Sequence, residues 1–95
     1  MNNHKMNQRN RVYLRSDDNI YFTPRERDCL VHLLDQKTIR ETAAQVGLSN
    51  RTVEFYLNNM KNKMTVRTKK ELIQKILQTD FLHRIKELER ENKSV

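Results

Sequence analysis

The chain has few of the residues on which small folds often depend. Its 95 residues include one Cys, one Gly, one Pro and no Trp. The single thiol, Cys29, excludes an internal disulfide and suits a reducing cytoplasm. So little Gly and Pro leaves scant turn chemistry for a sheet, and points to helices joined by tight connections. No run approaches the ~18 apolar residues of a membrane span, and the N-terminal stretch lacks the apolar core of a signal peptide. His4, His32 and His83 lie far apart with no cysteine pair near them, so neither a metal site nor a cofactor is expected. There is no acid–base pair and no phosphate-cradling glycine loop, which speaks against an enzyme.

What the chain does have is positive charge, +7 from 19 basic and 12 acidic residues. That favours a polyanionic partner. Residues 23–77 hold eleven basic against six acidic side chains, while residues 78–95 hold four of each. Between positions 51 and 70 stand Arg51, Lys61, Lys63, Arg67, Lys69 and Lys70 against Glu54 alone. Such a run is by itself compatible with a solvated helix face. Its place on the helices decides its meaning.

Three capping boxes mark helix starts: Thr23 with Glu26, Thr38 with Glu41, and Thr68 with Glu71. Pro24 falls at a first helical position, where its missing N–H costs nothing. Ser49 opens a further helix, but three residues on stands Thr52, not Glu. These signals predict helices near 24–35, 39–46, 50–64 and 69–78. Gly47 sits where the second helix must end in a left-handed residue, and Ser49 begins the next helix two residues later. Small Ala43 allows a close crossing, so the two helices make a helix-turn-helix pattern.

On the third helix Val53, Leu57, Met60 and Met64 form one apolar stripe at spacings of four, three and four. The opposite face carries Arg51, Phe55, Asn58 and Asn62, with Glu54 and Lys61 beside them. The alternative for Phe55 is packing beneath the N-terminal tail. The first helix buries Leu30 and Leu33 with Cys29 as a small apolar filler, and the fourth buries Leu72 and Ile76. Residues 1–21 read as a tail, in which 12–14 and 20–22 either pair as a short hairpin or pack as extended chain. Residues 79–95 read as an amphipathic helical extension with Asp80 as cap and Phe81, Leu82, Ile85 and Leu88 on one side. That stripe is rotated from the core face of the fourth helix. Either a bend intervenes near Thr79–Asp80 or the stripe serves another partner.

Thr23-Pro24-Arg25-Glu26-Arg27-Asp28-Cys29-Leu30, Ala43, Gly47-Leu48-Ser49 and Arg51-Thr52-Val53 together resemble the LuxR/GerE-type DNA-binding domain. The resemblance runs ungapped over residues 22–77, making 22–78 the DNA-binding domain of an all-α, four-helix fold with an extra C-terminal helical stretch. It implies that the third helix enters the major groove and that the fourth mediates dimerisation. The layout resembles the stand-alone, GerE-like kind, unless the chain is part of a longer regulator. Departures from the family pattern are Gln36 where Gly is frequent, Thr42 where Ile is usual, Tyr56 where His is common, and Glu54 at a position often basic.

On this reading the chain is a sequence-specific transcription regulator of double-stranded DNA, acting as a homodimer, bacterial, cytoplasmic and nucleoid-associated when bound. Base reading falls to Glu54 (cytosine N4), Phe55 (a thymine methyl) and Asn58 (adenine). The DNA backbone falls to Ser49, Asn50, Arg51, Thr52, Lys61, Asn62, Lys63, Arg67, Lys69 and Lys70. Dimerisation falls to Ile73, Leu77, Phe81 and Ile85. The alternative is a protein-interaction module of the same fold that docks another regulator or RNA polymerase.

Overall fold

A computed structural model describes residues 12–13 and 20–93. Two short strands, β1 (Val12–Tyr13) and β2 (Tyr21–Phe22), precede five helices. These are α1 (Pro24–Leu34), α2 (Ile39–Val46), α3 (Asn50–Met64), α4 (Lys69–Leu77) and α5 (Phe81–Lys93). The strands pair antiparallel, Val12 with Phe22 and Tyr13 with Tyr21, so of the two N-terminal alternatives the hairpin forms. Leu14 and the first eleven residues lie outside the described residues. The fold is all-α, the strand pair being a two-residue clasp on a helical body.

Each predicted helix start holds. In α1, α2 and α4 the Thr hydroxyl takes the N–H of the third helical residue, and the Glu there reaches back to the cap. Helix ends are less orthodox. Left-handed backbone closes α1, α2 and α3 at Gln36 (φ 64°), Gly47 (φ 71°) and Thr65 (φ 57°). At each, the following N–H reaches five residues back: Lys37 to His32, Leu48 to Ala43, Val66 to Lys61. This is the Schellman closure. Only one of the three positions is glycine, and a β-branched Thr in this region is strained.

α3 is the hub, packed against α1, α2 and α4. Its stripe of Val53, Leu57, Met60 and Met64 is buried, as the spacing predicts. Leu57, Met60 and Met64 join Leu30, Leu33, Leu72 and Ile76 in the main core, while Val53 meets Cys29 and Ala43 in a smaller cluster. Thr42, at a position where the family usually has Ile, is fully buried, and its hydroxyl has no hydrogen-bond partner among the described residues.

Of the two C-terminal alternatives, the bend near Thr79–Asp80 is the one that forms. Thr79 takes Phe81 N–H and donates to Ile76 C=O at 2.6 Å, bending the chain between α4 and α5. Asp80 holds the cap position, but its carboxylate pairs with Arg84 at 2.8 Å and not with backbone. The bend turns α5 back onto α4 and β1. Phe81 and Ile85, expected at a subunit contact, are instead buried in the chain's own core. Phe81 meets Phe22 edge-on at 5.3 Å. Through Phe81 and Ile85, α5 thus shares the main core; the side chain of Leu88 lies outside the described residues.

Candidate nucleic-acid interface

The site is built on α3 and the turn before it. Gly47 closes α2, and Ser49 caps α3 by accepting from Thr52 N–H at 3.1 Å. The Ser49 hydroxyl also donates to Thr52 Oγ1 at 2.9 Å, so the cap occupies it inside the protein. The first turn of α3 holds no acidic residue, whereas α1, α2 and α4 carry Glu26, Glu41 and Glu71 there. The helix therefore offers an uncompensated positive end, the kind of group that attracts phosphate. Fifteen residues give α3 a length of about 22 Å.

Burial of one stripe dictates what faces outward. Asn50, Arg51, Glu54, Phe55, Asn58 and Asn62 are exposed, and Thr52, Asn59 and Lys61 are half-buried. Phe55 is 60% exposed, which leaves an aromatic ring in water on a helix that buries its other face completely. Its ring lies edge-on to Tyr56 at 5.8 Å. Tyr56, at the position where the family commonly has His, packs against the Cys29, Ala43 and Val53 cluster. Glu54, Asn58 and Asn62 have no side-chain hydrogen bond among the described residues.

The cations divide into two groups. Arg67 and Lys70 are exposed beyond the end of α3. Among the described residues Lys61 and Lys69 make only long contacts of 3.5 Å, to Arg67 C=O and Lys37 C=O. Lys63 does not belong with them. Its ammonium lies 2.7 Å from Glu26, a carboxylate only 3% exposed, and 3.3 Å from Tyr21 C=O. It also stands over the Tyr21 and Phe22 rings at 5.6 and 5.8 Å. Lys63, expected among the phosphate ligands, is thus engaged within the chain, where it neutralises a buried carboxylate whose other bond is from the Thr23 N–H at 2.9 Å. Glu26, which the sequence marks only as a capping residue, ties the end of α3 to α1 and the hairpin. No local signal announces this pair, since its members are 37 positions apart.

On α4 the proposed contact residues separate similarly, with Leu77 55% exposed and Ile73 half-buried. Burial, and then the Asp28 charge, push the Cys29 thiol above its ordinary value, so it rests as a neutral filler. The two hydrogen bonds from Thr38, backbone first, hold the Glu41 carboxyl below its usual range. Among the described residues no group of His, Cys, Asp and Glu is suited to a metal, and no helix is long and apolar enough to cross a membrane.

Residues 21–76 match the family model described as bacterial regulatory proteins, luxR family (GerE). Comparison with curated proteins and with solved structures gives no match.

Proposed function

The chain belongs to the LuxR family of bacterial regulatory proteins, a DNA-binding regulatory family, and from that premise we propose that it reads specific sequences in double-stranded DNA, with α3 in the major groove and two copies acting together. The observation that carries this reading is the outward face of α3. A carboxylate and two amides stand exposed there with no side-chain hydrogen bond among the described residues, beside an exposed aromatic ring and opposite a wholly buried stripe. Three of these groups read base edges: Glu54 accepts from cytosine N4, Phe55 packs on the C5 edge of a pyrimidine, a thymine methyl or a cytosine C5–H, and Asn58 pairs with adenine. Asn50, Arg51, Thr52, Lys61, Asn62, Arg67, Lys69 and Lys70 hold the flanking phosphates and fix register.

A module with so few base contacts gains affinity and specificity from a second half-site. Leu77 and Ile73 supply an apolar patch on α4 for that pairing. The test is selection of bound duplexes from a random pool, followed by mobility shift with unlabelled competitor. An enriched motif of two related half-sites, bound in the presence of scrambled competitor, is the expected result. Retention of all sequences alike contradicts the reading.

A further inference from the structure

Glu54 is the one acidic residue in the basic stretch from Arg51 to Lys70. It has no hydrogen bond or ion pair among the described residues, although Arg51 and Lys61 stand one and two turns away on the same helix. In a DNA groove a carboxylate is repelled by phosphates and by every base acceptor: guanine O6 and N7, adenine N7, thymine O4. Only the exocyclic amines attract it, adenine N6 and cytosine N4. The neighbours of those amines differ. Beside adenine N6 lies N7, whose lone pair opposes a carboxylate. Beside cytosine N4 lies C5–H, which is apolar and carries no lone pair. Cytosine is therefore the base whose donor adjoins an apolar carbon.

Phe55, the next residue, is one of two large hydrophobic side chains left exposed among the described residues. Its ring is steadied by its edge contact with Tyr56, which is itself packed on the core cluster. Glu54 and Phe55 are consecutive and both exposed on α3, so the helix offers a carboxylate and an aromatic ring to an edge where an amine adjoins an apolar carbon. We infer that Glu54 and Phe55 together read the N4–C5 edge of a single cytosine, and that binding responds to cytosine methylation. This rests on α3 being the base-reading helix. A methyl on C5 adds one apolar carbon against Phe55 and tightens binding about fourfold, the effect of one buried methyl group. A methyl on N4 removes a donor from Glu54 and crowds it, and weakens binding about tenfold or more.

The duplex enriched from random DNA is synthesised with cytosine, 5-methylcytosine or N4-methylcytosine at each cytosine in turn. Affinity is read by fluorescence anisotropy for the wild-type chain, Phe55→Ala and Glu54→Gln. Both side chains are exposed, and thermal melting verifies that each variant is folded. The expected result is one cytosine per half-site at which the C5 methyl strengthens and the N4 methyl weakens binding. Phe55→Ala abolishes the C5 effect and keeps the cytosine preference, whereas Glu54→Gln moves the preference toward adenine. Specific binding with no methylation response at any cytosine, or a C5 response that survives Phe55→Ala, overturns the inference while leaving the DNA-reading assignment intact. Absence of any enriched duplex contradicts that assignment and the inference with it.

Discussion

Several single residues in this chain stand in places that suit them poorly, and each makes a measurable claim. Thr65 ends α3 with left-handed angles at a β-branched residue. Thr65→Gly removes a steric penalty of ~1–2 kcal/mol and adds ~0.4–1 kcal/mol of unfolded-state entropy. The net expectation is a gain of up to ~1.6 kcal/mol in denaturant unfolding; a loss contradicts the strain. Thr42 carries a buried hydroxyl without a hydrogen-bond partner among the described residues. Thr42→Val keeps the shape, removes the unsatisfied group and is expected to stabilise by ~1–3 kcal/mol. A lower melting temperature in that variant shows that the hydroxyl does bond in solution. Lys63→Ala leaves the buried Glu26 carboxylate without its counter-charge, and is expected to destabilise by ~1–3 kcal/mol, discounted because the lysine is one-third exposed. The same change leaves the salt dependence of DNA binding as it was, whereas Lys70→Ala lowers the slope of log K against log salt by ~0.9 per contact. If Lys63→Ala also flattens that slope, the lysine holds phosphate after all.

At the scale of helices, what was legible in the sequence was local. The capping boxes of Thr23, Thr38 and Thr68 join residues three apart, so their bonds follow from chain geometry alone. The stripe from Val53 to Met64 is likewise set by one helix's own period. The surroundings of Lys63 and Phe81 are not legible in this way for the opposite reason: their partners, Glu26 and Phe22, lie far back in the chain. Charge and hydropathy at position 63 are the same whether its partner is a phosphate or a buried carboxylate. The apolar stripe of α5 is the same whether it faces a second copy or its own core; the bend at Thr79 decides. Because α5 completes the core, Phe81→Ala is expected to cost ~3–5 kcal/mol, seen as a large fall in the midpoint of denaturant unfolding. A near-normal midpoint combined with lost cooperativity on DNA restores the subunit contact expected from sequence.

For the molecule as a whole, the net charge of +7 supplies attraction to any duplex and no discrimination among duplexes. Discrimination has to come from the few exposed groups on α3, and one of these is a carboxylate that opposes the general attraction. The two contributions therefore respond in opposite directions to one substitution. The decisive measurement is the affinity of the wild-type chain and Glu54→Ala for the selected duplex and for a scrambled duplex, at two salt concentrations. Removing the negative charge is expected to tighten binding to the scrambled duplex, while loss of the base contact costs ~1–3 kcal/mol of discrimination. The ratio of the two affinities then falls roughly tenfold. An unchanged ratio, or equal weakening on both duplexes, contradicts the assignment of the outward face of α3 as the surface that reads sequence.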